Sequence, residues 1–267
     1  QHVDGKFNEA LHYALFPGGK RLRPVLTLLG GEIVGGSGKA LMTAASAVEF
    51  VHTSSLIFDD LPCMDDARER RGQTPLHARY GEGLSVLVAL ALMNASYGLV
   101  FETVPLNRER AIRAHSELVD CIGATGMVAG QAIDLSAARK GRDATIKCAD
   151  ETMRNLKTSA LIRFALRFGA ILSGAGEQQL RALSLFADLL GDAYQISDDV
   201  IDLEEDAIVF HGPRAANLAV ELGAESAQRR VAKLITRAKS VLIDEFGVGR
   251  ETLMLNQLAD YVVERKV

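Results

Sequence analysis

Two aspartate clusters carry the densest chemistry in this 267-residue chain. One is Asp59-Asp60-Leu61-Pro62-Cys63-Met64-Asp65-Asp66, and the other is Asp198-Asp199-Val200-Ile201-Asp202. Asp198 and Asp202 are four apart, so a helix puts both carboxylates on one face, a turn from each other. Like charges at that spacing repel unless a cation sits between them. Asp59 and Asp65 are six apart, a spacing that a straight helix does not align. Pro62 lies between them, disrupts the ladder and lets Asp65 swing back toward Asp59. Carboxylate oxygens are hard ligands, and no His or Cys stands at metal spacing beside them. The pattern favours Mg²⁺ or Mn²⁺ over zinc. Mg²⁺ takes one or two protein carboxylates and completes its shell with water and phosphate oxygens. Two sparse clusters therefore suit a diphosphate clamped between two helices.

Basic residues stand close by in sequence. Lys20-Arg21-Leu22-Arg23 follows the Pro17-Gly18-Gly19 turn, Arg68, Arg70 and Arg71 follow the first acidic cluster, and Lys157-Thr158 lies in a helical run. Arg offers a fork for phosphate oxygens and Lys a point charge. Any one of these could be ordinary solvated charge, and either acidic cluster alone could be a solvated helix end. Two clusters, each ending an apolar run, with strong anion binders beside the first, are what a diphosphate site requires. His52 precedes Asp59 by seven residues, two turns below on the same face, with Ser55 between them.

The elements that must position these groups are helices. Strand alternation is scarce, while Leu41, Ala44, Ala45, Val48 and Val51 repeat at three and four. The stretches 111–134, 145–172, 178–203 and 224–246 read the same way, and the breaks between them are short and rich in Gly and Pro. This predicts one all-α domain over 1–267, a large bundle of about ten helices with its site between facing helices. Hydrophobic residues are 48% of the chain, enough for a sizeable core, and the net charge of −4 gives no reason to expect a nucleic-acid partner. Absence of Trp and 6% aromatics speak against a base-stacking surface. Cys63, Cys121 and Cys148 form neither a zinc pattern nor a disulfide framework, which points to a reducing compartment and so to the cytoplasm. The most apolar stretch, 84–100, is interrupted by Asn94, Ser96 and Gly98 and reads as a core helix rather than a membrane span. The chain opens on Gln1, so residues are expected upstream.

Taken together these residues resemble the trans-isoprenyl diphosphate synthases, or polyprenyl synthetases. The resemblance runs through Gly18-Gly19-Lys20-Arg21-Leu22-Arg23-Pro24, His52-Thr53-Ser54-Ser55-Leu56-Ile57, the first aspartate motif with Arg70-Arg71-Gly72, Gly130-Gln131, Lys157-Thr158, and Gln195 with the second motif. It implies head-to-tail prenyl transfer by a homodimer. Asp59, Asp65 and Asp198, helped by Asp60, Asp199 and Asp202, would hold three Mg²⁺ on an allylic diphosphate (dimethylallyl, geranyl or farnesyl). The metals, with Arg70, Lys157, Thr158 and Gln195, would stabilise the leaving diphosphate. Isopentenyl diphosphate, held by Lys20, Arg23, His52 and Arg71, would attack the allylic cation, and the released diphosphate would take the proton. The prenyl tail is expected to run down from Asp59 past Ser55 and Ser54. Serine at 54, where fifteen-carbon members often carry an aromatic ring, points to a twenty-carbon product, geranylgeranyl diphosphate, with Phe50, Tyr97 and Phe101 as candidate floors.

The resemblance leaves alternatives: a farnesyl or longer-chain synthase, a weakly active or non-catalytic partner subunit, or a class I terpene cyclase. The last would not need Lys20, Arg23, His52 and Arg71. One departure stands out. Family members usually carry Gly-Lys-Asp and a further Lys soon after the second motif, but here no Lys follows Lys157 until Lys233. Either loop residues are missing from the numbered chain, or a lysine is lost and Arg214 partly substitutes. Arg265-Lys266 resembles the family's basic C-terminal tail.

Overall fold

A computed structural model describes residues 5–16, 18–140, 159–209 and 223–264. These residues form eleven helices and no strand: α1 (Gly5–Leu15), α2 (Leu22–Glu32), α3 (Lys39–Asp59), α4 (Leu76–Tyr80), α5 (Glu82–Phe101), α6 (Arg108–Ile122), α7 (Met127–Lys140), α8 (Ala160–Ser173), α9 (Glu177–Val209), α10 (Ala224–Phe246) and α11 (Arg250–Glu264). The all-α expectation holds.

The expected helix over 111–134 is two helices. Gly123 and Gly126 fall between α6 and α7, and a Cβ on Gly126 would lie 2.0 Å from the Cys121 carbonyl oxygen. The chain can pass there only without a side chain.

The main core is built on α8, which is buried along most of its length, with Phe164, Leu166 and Phe168 at 2% exposure or less. α2 crosses α8 backbone to backbone. A Cβ on Gly169 would sit 1.9 Å from the Thr27 carbonyl oxygen, and one on Gly30 would sit 2.2 Å from that of Leu166. α9 packs along α10, and α11 closes against α10, α9 and α2. A smaller apolar cluster joins α1 and α4 to the outer side of α3 and α5, through Ala10, Ile57, Leu76 and Val88. Both clusters draw residues from α3, so α3 is apolar on much of its circumference and carries its polar residues toward its C-terminal end.

Candidate active site

The first acidic cluster begins where α3 ends. The last carbonyls of a helix lack partners within it, and here the chain that follows supplies them. Leu61 donates its amide to Phe58, Asp65 donates to the Asp59 carbonyl at 2.9 Å, and Ala67 donates to that of Asp60 at 3.3 Å. Asp66 adopts a left-handed conformation at φ 48° as it completes the coil. The segment after Pro62 thus folds back onto the end of α3, and the backbone of Asp65 meets that of Asp59. The reversal expected from Pro62 is present.

Asp60 points elsewhere. It is 4% exposed, and its carboxylate accepts from Arg70 Nε at 2.8 Å and also pairs with Arg70 Nη2. Hydrogen bonding to Asp60 raises the Arg70 guanidinium above its ordinary value, and Asp59 and Asp65 add to the effect. Asp60 anchors Arg70 among the aspartates. A cavity of about 70 Å³, lined by Tyr13, Thr53, Asp60 and Arg70 among others, lies on that side.

Arg70 to Gln73 form a tight reversal, with both backbone hydrogen bonds exchanged between Arg70 and Gln73. Arg71 at φ 56° and Gly72 at φ 75° are both left-handed, as a type I′ turn requires. Glycine tolerates this freely, but Arg71 does not, and such strain clusters at functional sites. The turn throws Arg71 back across the Gly18–Gly19 bend. A Cβ on Gly19 would lie 2.3 Å from Arg71 Nη1, so only glycine leaves room.

Arg71 and Arg23 then converge on one imidazole. His52 Nε2 accepts from Arg23 Nη1 at 3.1 Å and from Arg71 Nη2 at 3.2 Å, which places the ring hydrogen on Nδ1. Burial pushes His52 down to about 2, and Arg23, Arg71, Arg70 and Arg21 push the same way. Burial also lowers Arg23, to about 10. Neither Arg23 nor Arg71 forms an ion pair among the described residues, and Arg23 Nε is buried with no partner. Lys20 stands on Tyr261 of α11, donating to its hydroxyl and lying 4.7 Å from the ring centroid.

The second acidic cluster reaches the same region along α9. Tyr194, one turn before Asp198, acts electrostatically on Arg23. Gly191 abuts Ser159 so closely that a Cβ would sit 2.1 Å from Ser159 Oγ, which brings the start of α8 against α9. Asp198 and Gln195 are part-exposed on α9. The side chains of Asp199 and Asp202, and residues Lys157, Thr158, Arg214, Arg265 and Lys266, lie outside the described residues. The departure after the second motif, with no lysine between Lys157 and Lys233, falls on residues 210–222, outside the described residues.

The tail-path residues separate by face. Ser54 is fully buried and donates to the Ala89 carbonyl of α5 at 2.9 Å. Ser55, part-exposed, bonds to the His52 carbonyl on the site side. Phe50 joins the outer cluster with α1, and Phe101 is 60% exposed. Tyr97 packs on the main core and meets the His115 ring edge-on at 5.8 Å.

Sequence reasoning passed over Glu49 and Arg21. Glu49 is buried and pairs with Arg21, whose other nitrogen donates to the Leu15 carbonyl. The available signal was spacing, since Glu49 stands three residues before His52 and shares its face.

The polyprenyl synthetase family pattern matches residues 4–216. The chain belongs to the polyprenyl synthetase family. It is 35% identical to geranylgeranyl pyrophosphate synthase 6, mitochondrial, of Arabidopsis thaliana over 274 residues, covering 97% of this chain and 80% of the relative. It is 43% identical to geranylgeranyl pyrophosphate synthase 9, chloroplastic, of the same organism over 197 residues, covering 73% of this chain but 55% of the relative. The chain therefore spans between about half and four fifths of these relatives. An FPP/GFPP synthase from Zymomonas mobilis superposes with a TM-score of 0.86 at 30% identity, covering 98% of this chain and 91% of that one. The family of trans-prenyltransferases, and its all-α fold, are thereby those of this chain.

His52 gives a test of the site's electrostatics. Its folded value lies below its unfolded one, so between about 2 and 6.5 the unfolded state binds the extra proton and stability falls as pH drops. From pH 7.5 to pH 5 this costs about 2 kcal/mol. Denaturant unfolding of His52→Asn, which keeps an acceptor but not the titration, should show that much less loss over the same interval.

Proposed function

We propose that the protein condenses isopentenyl diphosphate with an allylic diphosphate, ionising the latter first, and that it makes geranylgeranyl diphosphate. The observation that carries this reading is the convergence of Arg23 and Arg71 on neutral His52, with neither arginine in an ion pair among the described residues. Two guanidinium groups held against one imidazole repel each other, and a bound anion offsets that cost. Arg23, Arg71 and Lys20 would hold the diphosphate of the attacking substrate, and His52, being neutral, adds no charge that must be neutralised.

The aspartates fit divalent metal. Their donors are all oxygen, and the backbone of Asp65 is folded onto that of Asp59, as suits an ion that shares its shell with phosphate. Asp59, Asp65 and Asp198 would hold the ions, three Mg²⁺ in our reading with Mn²⁺ as a substitute, and Asp199 and Asp202 belong to the same acidic segment. When bound, Mg²⁺ supplies Lewis-acid stabilisation of the leaving diphosphate. Arg70 adds a fixed positive charge at that place, oriented in advance by Asp60. Gln195, Lys157 and Thr158 complete the set. The apolar bundle interior would exclude water from the allylic cation.

Purified protein given Mg²⁺, isopentenyl diphosphate and farnesyl diphosphate should yield a twenty-carbon product by chromatography. No prenyl product would overturn the reading, and one of thirty carbons or more would overturn the chain length. Tyr97 is the floor candidate that faces the main core; Phe50 and Phe101 face away from it. Tyr97→Ala should add at least one five-carbon unit to the product.

A homodimer accounts for α5. α3 and α5 are long and apolar enough to cross a membrane by length and composition. α5 turns one face onto α3 and leaves Leu87, Leu90 and Phe101 each more than half exposed at helical spacing, with Ile112 of α6 also exposed. A patch of this kind marks a partner surface, and we assign it to a second copy rather than to a bilayer. Sedimentation that finds single copies at micromolar concentration would overturn this. We place the protein in the cytoplasm, a reducing compartment of the kind its few scattered cysteines suit, which a fluorescent fusion would test.

A further inference from the structure

Glu49 is a buried carboxylate that the reaction does not use. It lies on α3 three residues before His52, 8% exposed, and its partner is Arg21. Arg21 is the residue before α2 and sits in the left-handed region at φ 50°. An L side chain adopts that conformation only at an energetic cost, so surrounding contacts must hold it there. The contacts are visible. One guanidinium nitrogen pairs with Glu49, and the other donates to the carbonyl of Leu15, the last residue of α1.

A single side chain thus ties three elements: the end of α1, the bend leading into α2, and the middle of α3. Lys20 directly precedes Arg21 and Arg23 follows it by two residues in the first turn of α2, so the backbone conformation of Arg21 orients the stretch that carries both. Gly19, one residue further back, is the surface on which Arg71 rests. Three of the proposed diphosphate ligands therefore take their places from the bend that the Arg21–Glu49 pair locks. Asp60, the other buried carboxylate near these arginines, is committed to Arg70.

We propose that Glu49, acting through Arg21, is the positioning residue for the isopentenyl diphosphate pocket. It sets affinity for that substrate without touching it. The proposal rests on the assignment of Lys20, Arg23 and Arg71 to that diphosphate.

Steady-state kinetics with each substrate varied in turn tests it. Glu49→Leu removes the anchor and should raise KM for isopentenyl diphosphate about tenfold, the scale of a small misplacement of binding groups. KM for the allylic substrate and kcat should stay within about threefold. Glu49→Gln keeps an oxygen for Arg21 and should retain KM near wild type. Arg21→Leu should match Glu49→Leu, and the double variant should be no worse than either, since both break one clamp. Arg21 is part-exposed and carries the test if Glu49→Leu does not fold. An equal rise in both KM values would overturn the proposal, because a general loss of structure does not choose between substrates. A fall in KM with Glu49→Gln and Glu49→Leu would also overturn it, since the carboxylate would then only oppose the incoming anion. Arg23→Gln serves as the reference. If it leaves KM for isopentenyl diphosphate unchanged, the pocket assignment itself fails. If it raises KM while the Glu49 and Arg21 variants do not, only the clamp fails.

Discussion

Asp59→Asn should lower kcat by about a thousandfold, equivalent to about 4 kcal/mol of lost transition-state stabilisation. The substitution keeps size and hydrogen-bonding capacity but removes the charge that would hold a divalent cation. Asp59 ends α3, and Asp65 is fastened to its carbonyl through the backbone, so the loop should keep its shape in the variant. The loss should fall on ionisation of the allylic diphosphate, where negative charge develops on the leaving group. KM for isopentenyl diphosphate should change little, because Arg23, Arg71 and His52 are untouched. Raised Mg²⁺ should recover part of the activity. Full activity at ordinary Mg²⁺ would remove Asp59 from the site.

Gly169→Val should have the largest effect on stability. The missing Cβ is 1.9 Å from the Thr27 carbonyl oxygen and 3.0 Å from the Gly31 amide nitrogen, both backbone atoms of α2. Neither can rotate away, so α2 and α8 must part. Overpacking costs typically about 1–3 kcal/mol where side chains can yield, and here the upper end applies. For a chain of this length that lowers the melting midpoint by roughly 6–12 °C. Gly169→Ala should cost less than Val, and Gly30→Val should resemble Gly169→Val from the opposite helix. Because α2 carries Arg23, any folded fraction should also bind isopentenyl diphosphate more weakly. A melting temperature unchanged in Gly169→Val would show that the two helices are free to separate.

These expectations came from different levels. The all-α architecture was legible in the sequence because apolar residues at three and four apart dictate which faces are buried. The reversal after α3 was legible too, because Pro62 ends the ladder wherever it stands. Arg70 and Arg71 were recognisable as anion binders by type, but their division of labour was not. Arg70 turns to Asp60 and Arg71 to His52 because a type I′ turn points successive side chains apart, and that turn is fixed by contacts at Gly19 and Gln73. Likewise Phe50, Tyr97 and Phe101 looked alike as rings at helical spacing. Only packing placed one on the main core, one on the outer cluster and one at the surface.

The chain by itself determined the donors: oxygen ligands in two acidic segments, guanidinium groups nearby, and helices to carry them. Side-chain chemistry and local backbone preference are properties of residues and their near neighbours, so sequence states them. The tertiary structure decided which charges are paired and which are left for a ligand. Asp60, grouped by sequence with the metal-binding aspartates, pairs with Arg70, and Glu49, which the sequence did not single out, pairs with Arg21 before α2. Pairing depends on contacts between groups 10 to 28 residues apart, and on burial that strengthens them by removing water. Neither is set by spacing along the chain.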